Sequence, residues 1–284
     1  MSAEGQSIEQ VEVRVQQAQT RRERHARISG ILYPALVVII ALILWEAVTH
    51  VVAIPAYILP PPSQIAVVMY EKMPLLIKHG WVSTTEIVLG FLLSVVVGIP
   101  LALATFLWPA FARSVYPLLV SSQAVPKMAV APLFIVWFGF GQTPKLLLAF
   151  LIAFFPIMLD TTTGLQSVRA DTLMLARSIG LGSARTFLRI QLPQALPSIF
   201  SGLKIGATLS VLGVLVAEFL GATGGLGYLV ITATGMLDTV LLFSALVVIA
   251  VLGLVVYGIV SLAEHLAIGS WYGAQLRAGS GGPH

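Results

Sequence analysis

The sequence predicts an all-α integral membrane protein, and three observations carry that expectation. Of 284 residues, 57% are hydrophobic and only 10% charged, with a mean hydropathy of +0.94; an average soluble domain is roughly 25% charged. The apolar residues form long continuous runs rather than short alternating segments, so the spans are helices and not barrel strands. Lysine and arginine are unevenly shared among the segments that join these runs, as a fixed membrane topology requires. There is no cysteine, which excludes disulfides and thiolate metal sites. The net charge of +4 and pI near 9.5 reflect topology, so nucleic acid is not an expected partner.

Taken in order, residues 1–29 carry Arg14, Arg21, Arg22, Arg24 and Arg27 among acids and glutamines and read as a solvated cytoplasmic tail. The apolar run that follows is too long for a cleaved leader. A transmembrane domain is expected over residues 30–265, with spans near 31–49, 82–107, 115–138, 145–163, 199–219 and 240–263. Residues 50–80 form an outer connector, in which Pro60, Pro61 and Pro62 force an extended entry to a short helix. The third span is interrupted by Pro117, Pro126 and Pro132. Residues 139–144 are a tight outer turn, and 221–227 a glycine-rich outer loop with re-entrant character. A cytoplasmic tail over residues 266–284 carries Arg277. Six spans place both termini on one side. The segments on that side hold eleven Lys and Arg residues, against three on the other (Lys72, Lys78 and Lys145). That bias assigns the termini to the cytoplasm.

Residues 164–197 are an island of charge between the fourth and fifth spans, with Arg169, Arg177, Arg185 and Arg189. Two short helices are expected there. Asp171 favours the start of the first, where free N–H groups and the helix dipole stabilise a carboxylate. Leu173, Ala176 and Ile179 recur at helical spacing. Gly180 and Gly182 then stop the helix, since glycine tolerates a left-handed cap. Ser183 is expected to cap the second helix, which carries Phe187, Leu188 and Ile190 and ends at Pro193 and Pro197. An amphipathic hairpin with apolar side chains on show in water is a docking surface.

Ala176, Gly180, Ile190, Leu192 and Pro193 resemble the cytoplasmic loop signature of bacterial ABC-importer permeases. That signature is a Glu-Ala-Ala triplet, a glycine four residues on, an aliphatic ten residues beyond, then Leu-Pro. Met174-Leu175-Ala176 replaces the triplet, so the acidic residue is absent. The Ala-Arg-Ser-Ile-Gly variant is similar to that of the sulfonate, nitrate and taurine group. Residues 126–139, with Pro126-Lys127-Met128-Ala129, resemble the third-span motif of the same group, and residues 221–228 its outer loop.

The resemblance implies the type I importer permease fold, six helices with a cytoplasmic coupling-helix loop at about 164–197. It implies a homodimer, two cytoplasmic ABC ATPase subunits that bind ATP and Mg, and a periplasmic or lipid-anchored substrate-binding protein. It places the chain in the bacterial inner membrane. Docking to the ATPase would involve Asp171, Ala176, Arg177, Gly180, Arg185, Arg189, Ile190, Leu192 and Pro193.

No energy-converting chemistry is visible in the chain itself. The 221–227 loop lacks the Lys-Ser/Thr of a nucleotide loop, and His25, His50, His79, His265 and His284 have no metal-ligand spacing. The chain is therefore expected to be a transport subunit without an ATPase site, and to bind no cofactor. Ionisable residues in or near the spans are Glu46, Glu86, Lys127, Asp160, Lys204 and Glu218. Such residues are costly in lipid and commonly functional. Lys127, next to the helix-breaking Pro126, is expected to face the translocation pathway and attract an anion, with Glu218 a further pathway candidate. The expected function is permeation of a small anionic solute: a sulfonate, taurine, nitrate or a similar organic acid. The alternative is an ion-gradient-driven secondary carrier, which needs paired intramembrane acids and commonly repeated halves.

Overall fold

The computed structural model describes residues 32–33 and 35–279, with side chains through residue 269. The tail expected over 1–29, with its arginines, lies outside the described residues, as do residues 280–284. The described residues form helices and connecting turns without strands.

The chain divides into two units, residues 1–67 and 68–284. In the first, α1 (Ala35–Val51) presents Val37, Ile39, Ile43 and Leu44 outward, each more than half exposed, as a lipid-facing helix would. Glu46 near its end accepts hydrogen bonds from the Ser63 backbone N–H (3.0 Å) and hydroxyl (2.7 Å), which folds the proline-rich turn back onto the helix. Helix α2 (Pro62–Glu71) begins on a proline, whose missing N–H costs nothing at a helix start.

The second unit is a helical bundle. Helix α3 (Met73–Leu107) has 35 residues, about 52 Å at 1.5 Å per residue. It begins well before residue 82 and takes in the last part of the expected connector, residues 73–80, including Lys78. Helix α4 (Pro109–Ser122) is followed by a 3₁₀ turn (Lys127–Val130) and α5 (Ala131–Phe138). Helix α6 (Gln142–Gln166) leads into α7 (Ala170–Ser178) and α8 (Ser183–Thr186). A π turn (Phe187–Gln191) joins α8 to α9 (Leu192–Phe219), and α10 (Leu226–Gly235) and α11 (Thr239–Gly279) complete the bundle.

Among the described residues, four helices are long and apolar enough to cross a bilayer: Met73–Leu107, Gln142–Gln166, Ser183–Phe219 and Thr239–Gly269. The expected third span is not one crossing helix. Pro109–Ser122 and Lys127–Phe138 meet at 85°. Pro126 is the cause: it has no N–H to continue the ladder and stands in extended backbone (φ −66°, ψ 100°). A second correction concerns Pro193 and Pro197, which do not end a separate helix. The π turn covers the five residues before Leu192 and widens the turn into which the Pro193 ring would otherwise press, so the chain stays helical from Ser183 to Phe219.

The core is built on α6 against α9. Gly202, Gly206 and Gly213 let the two backbones approach closely. A Cβ at position 206 would lie 2.7 Å from the Ile157 side chain, and one at 213 only 2.6 Å from the Ala149 Cα. Ile87, Ala149, Ala207 and Val214 are wholly buried around this seam. At the start of α11, Asp238 accepts the Leu241 N–H (3.0 Å) and pairs with Lys72 (2.9 Å). Burial works against its charge, but the Lys72 ammonium and the Leu241 N–H outweigh it and hold the carboxyl below the ordinary aspartate range.

Candidate functional site

Two features carry the site residues: a cavity at the α4–α5 break and the hairpin between α6 and α9. The cavity has a volume of about 580 Å³, within the range of small-ligand sites. Its polar wall is Gln123, Lys127 and Asp160; Phe155, Pro156 and Leu212 are part of its apolar wall. The proline break creates it. Where the backbone turns through 85°, it withdraws from α6 and α9 and leaves the space between them. Ile152 and Leu209 place the cavity near mid-length of α6 and α9, and Val125, Met128 and Leu212 leave it open on one side.

Lys127 and Pro126 line this cavity together. The Lys127 ammonium stands 4.6 Å from the centroid of the Phe155 ring, a geometry that steadies a cation without neutralising it. Neither Lys127 nor Asp160 has an ion-pair partner among the described residues.

Glu218 lies elsewhere. It is 1% exposed and holds the glycine loop at the far end of α9. Ser83 donates its hydroxyl to Glu218 Oε1 (2.6 Å), and the Gly227 N–H donates to Oε2 (2.5 Å). The Leu226 N–H donates to Ser83 Oγ (2.7 Å) and the Gly225 N–H to His79 Nδ1 (3.1 Å). The His79 ring stacks on Tyr228 at 5.7 Å. Gly225 adopts φ +111°, and a Cβ there would run into the Glu218 carboxyl. Glu86, facing Glu218, pairs with Lys145 at 2.7 Å, with side chains 1% and 9% exposed. Glu86, Glu218 and Lys145 thus form a buried knot joining α3, α6 and α9, with the α10 loop pinned to it. Lys204 pairs with Glu264 at 2.8 Å between α9 and α11. Sequence reasoning missed the knot. Glu86, Lys145 and Glu218 are 59 and 73 residues apart along the chain, and only the packing of three helices brings them together.

The hairpin begins as expected. Gly180, at φ +78°, ends α7. The Leu181 N–H bonds to the Ala176 carbonyl and the Gly180 N–H to the Arg177 carbonyl, each at 3.0 Å, the paired pattern of a Schellman cap. The expected capping side chains are placed differently. Asp171 lies within the first turn of α7 and pairs with Arg169 at 3.2 Å in solvent, while Gly182 rather than Ser183 precedes α8. Ala176 is buried beneath α7. Phe187 packs on Phe106 at 6.1 Å, and Leu192 joins Leu165, Ala195 and Ile199 in a core that fixes the base of the hairpin. Ile190 and Pro193 are half-buried at that base, whereas Arg177, Gly180, Arg185 and Arg189 are exposed. Met174, Leu175, Ile179 and Leu188 are 57–67% exposed among these arginines.

Comparison with known proteins accounts for this arrangement. Residues 94–266 match the family model described as "Binding-protein-dependent transport system inner membrane component". The chain is 34% identical over 227 residues to a probable ABC transporter permease protein of Haemophilus influenzae, covering 80% of this chain and 93% of that one. It is 32% identical over 246 residues to the taurine transport system permease protein of Escherichia coli, covering 82% and 87%. Its fold matches an inward-facing structure of the MetNI methionine ABC transporter with a TM-score of 0.59 at 18% identity, covering 71% of this chain and 98% of that one. The chain is an ABC transporter permease and belongs to the binding-protein-dependent inner membrane component family.

Proposed function

We propose that two copies of this chain form the solute path of an ATP-driven importer in the bacterial cytoplasmic membrane, with both termini and the 164–197 hairpin in the cytoplasm. A periplasmic or lipid-anchored binding protein delivers the solute to the opposite side. Two ABC ATPase subunits, which bind ATP and Mg, receive the hairpins. The observation that carries this reading is the hairpin itself: four large apolar side chains, Met174, Leu175, Ile179 and Leu188, stand in solvent beside three arginines on a rigidly based turn. A partner groove with an apolar floor and acidic rim fits them. The solute passes the Lys127 cavity. An unpaired ammonium there attracts an anionic group, which agrees with a relative that carries taurine and with the sulfonates and related acids of the group. Family membership leaves the gradient-driven carrier without support.

Gly180 tests the docking reading. Nothing lies within 4 Å of a Cβ built there, so a side chain meets no clash within the chain. Its left-handed backbone costs an ordinary residue about 1–2 kcal/mol, and a β-branched one more. Gly180→Val is expected to reach the membrane at normal levels while ATPase recovered with the tagged permease falls about tenfold or more. Gly180→Asn, which tolerates this backbone, keeps most of the partner. Full ATPase recovery and uptake with Gly180→Val would show that the turn does not set the docking surface.

A further inference from the structure

We propose that Asp160 reads a positive group on the solute, so that the cavity accepts a zwitterion with its anionic group toward Lys127 and its ammonium toward Asp160. The inference rests on the pathway reading above and deepens it. Two opposite charges line one cavity, and neither is ion-paired among the described residues. Their positions are fixed independently. Phe155 holds the Lys127 ammonium, while the Asp160 Cβ sits where a Cβ on Gly202 would come within 2.8 Å, packed against α9. Phe155 and Asp160 are five residues apart on α6, about 7.5 Å along the axis. Asp160 thus lies further along α6 than the residue whose ring meets Lys127, and a solute charged at both ends can face the two side chains at once.

A purely anionic solute would gain attraction from Lys127 and meet repulsion from Asp160 in the same cavity. A zwitterion satisfies both, and its methylenes lie against Phe155, Pro156 and Leu212.

The test uses the permease–ATPase complex in detergent and tritiated 3-aminopropanesulfonate as probe. Competition by unlabelled propane-1-sulfonate, the same acid without the amine, is expected to be at least about tenfold weaker than self-competition, since one charge-assisted contact is lost. Asp160→Asn removes that preference, so the two compounds compete equally. Lys127→Gln loses affinity for both. Absence of probe binding, equal competition in the wild type, or an undiminished preference in Asp160→Asn overturns the inference. A second arm tests the pathway separately. The chain has no cysteine, so Leu212→Cys can be probed in the assembled transporter with a membrane-impermeant methanethiosulfonate. Modification that blocks solute-coupled ATP hydrolysis supports the pathway even if the zwitterion preference fails. A thiol unreactive both without nucleotide and with ATP trapped removes the cavity from the aqueous path, and the Asp160 inference with it.

Discussion

Lys145→Met is expected to destabilise the purified permease by about 3–5 kcal/mol, the cost of leaving a buried charge without its partner. Lys145 is bonded to Glu86 at 2.7 Å, and the Glu218 carboxyl lies beside that pair. Removing the ammonium leaves two buried carboxyls facing each other with no cation between them. Glu86→Gln is milder, because it removes one of the two negative charges and leaves Lys145 facing Glu218. The double variant Glu86→Leu with Lys145→Met recovers much of the loss, since an apolar replacement of a whole buried pair is often near neutral. Thermal unfolding midpoints in detergent check the series. A single variant with the wild-type midpoint would mean that the pair is hydrated rather than buried.

Gly213→Val is expected to abolish accumulation of folded protein in the membrane. A Cβ at this position falls 2.6 Å from the Ala149 Cα and 3.0 Å from its nitrogen, both backbone atoms that cannot swing aside. Helices α6 and α9 must separate, and the buried cluster around Ile87, Ala207 and Val214 opens with them. Overpacking costs about 1–3 kcal/mol where side chains can adjust, and more where they cannot. Gly253→Ala in α11 is the control, with nothing within 4 Å of the added methyl. Monodisperse yield on size-exclusion chromatography separates the two. Equal yields would show that the seam is looser than the structure has it.

What the sequence made legible follows from how local each signal is. Apolar runs announced the helices, because a bilayer demands some twenty apolar residues in succession. Gly180 announced the turn of the hairpin, because only glycine takes that backbone without strain. Pro126 announced a break, and Lys127 beside it a charge at depth. The angle of the break was not legible, since a proline interrupts a helix without specifying the direction of departure. Nor was the run through Pro193: a π turn is a cooperative adjustment of several residues with no sequence mark of its own. Glu218 was grouped with the pathway because an acid in a span looks the same whether it lines water or caps a loop. Asp160 was one more ionisable residue near a span end until α6 and the broken helix were seen to share a cavity.

The continuous helical run from Ser183 to Phe219, 37 residues and about 55 Å long, puts the hairpin and the glycine loop at the two ends of one element. The π turn at 187–191 keeps the backbone helical through Pro193, so the two ends belong to one continuous element. Gly202, Gly206 and Gly213 of this run hold it to α6, with the Asp160 Cβ and the Ile157 side chain seated over the first two. A partner engaged at the Ser183 end, as proposed above, would act on the same helical run that carries the Glu218 clamp on the far loop.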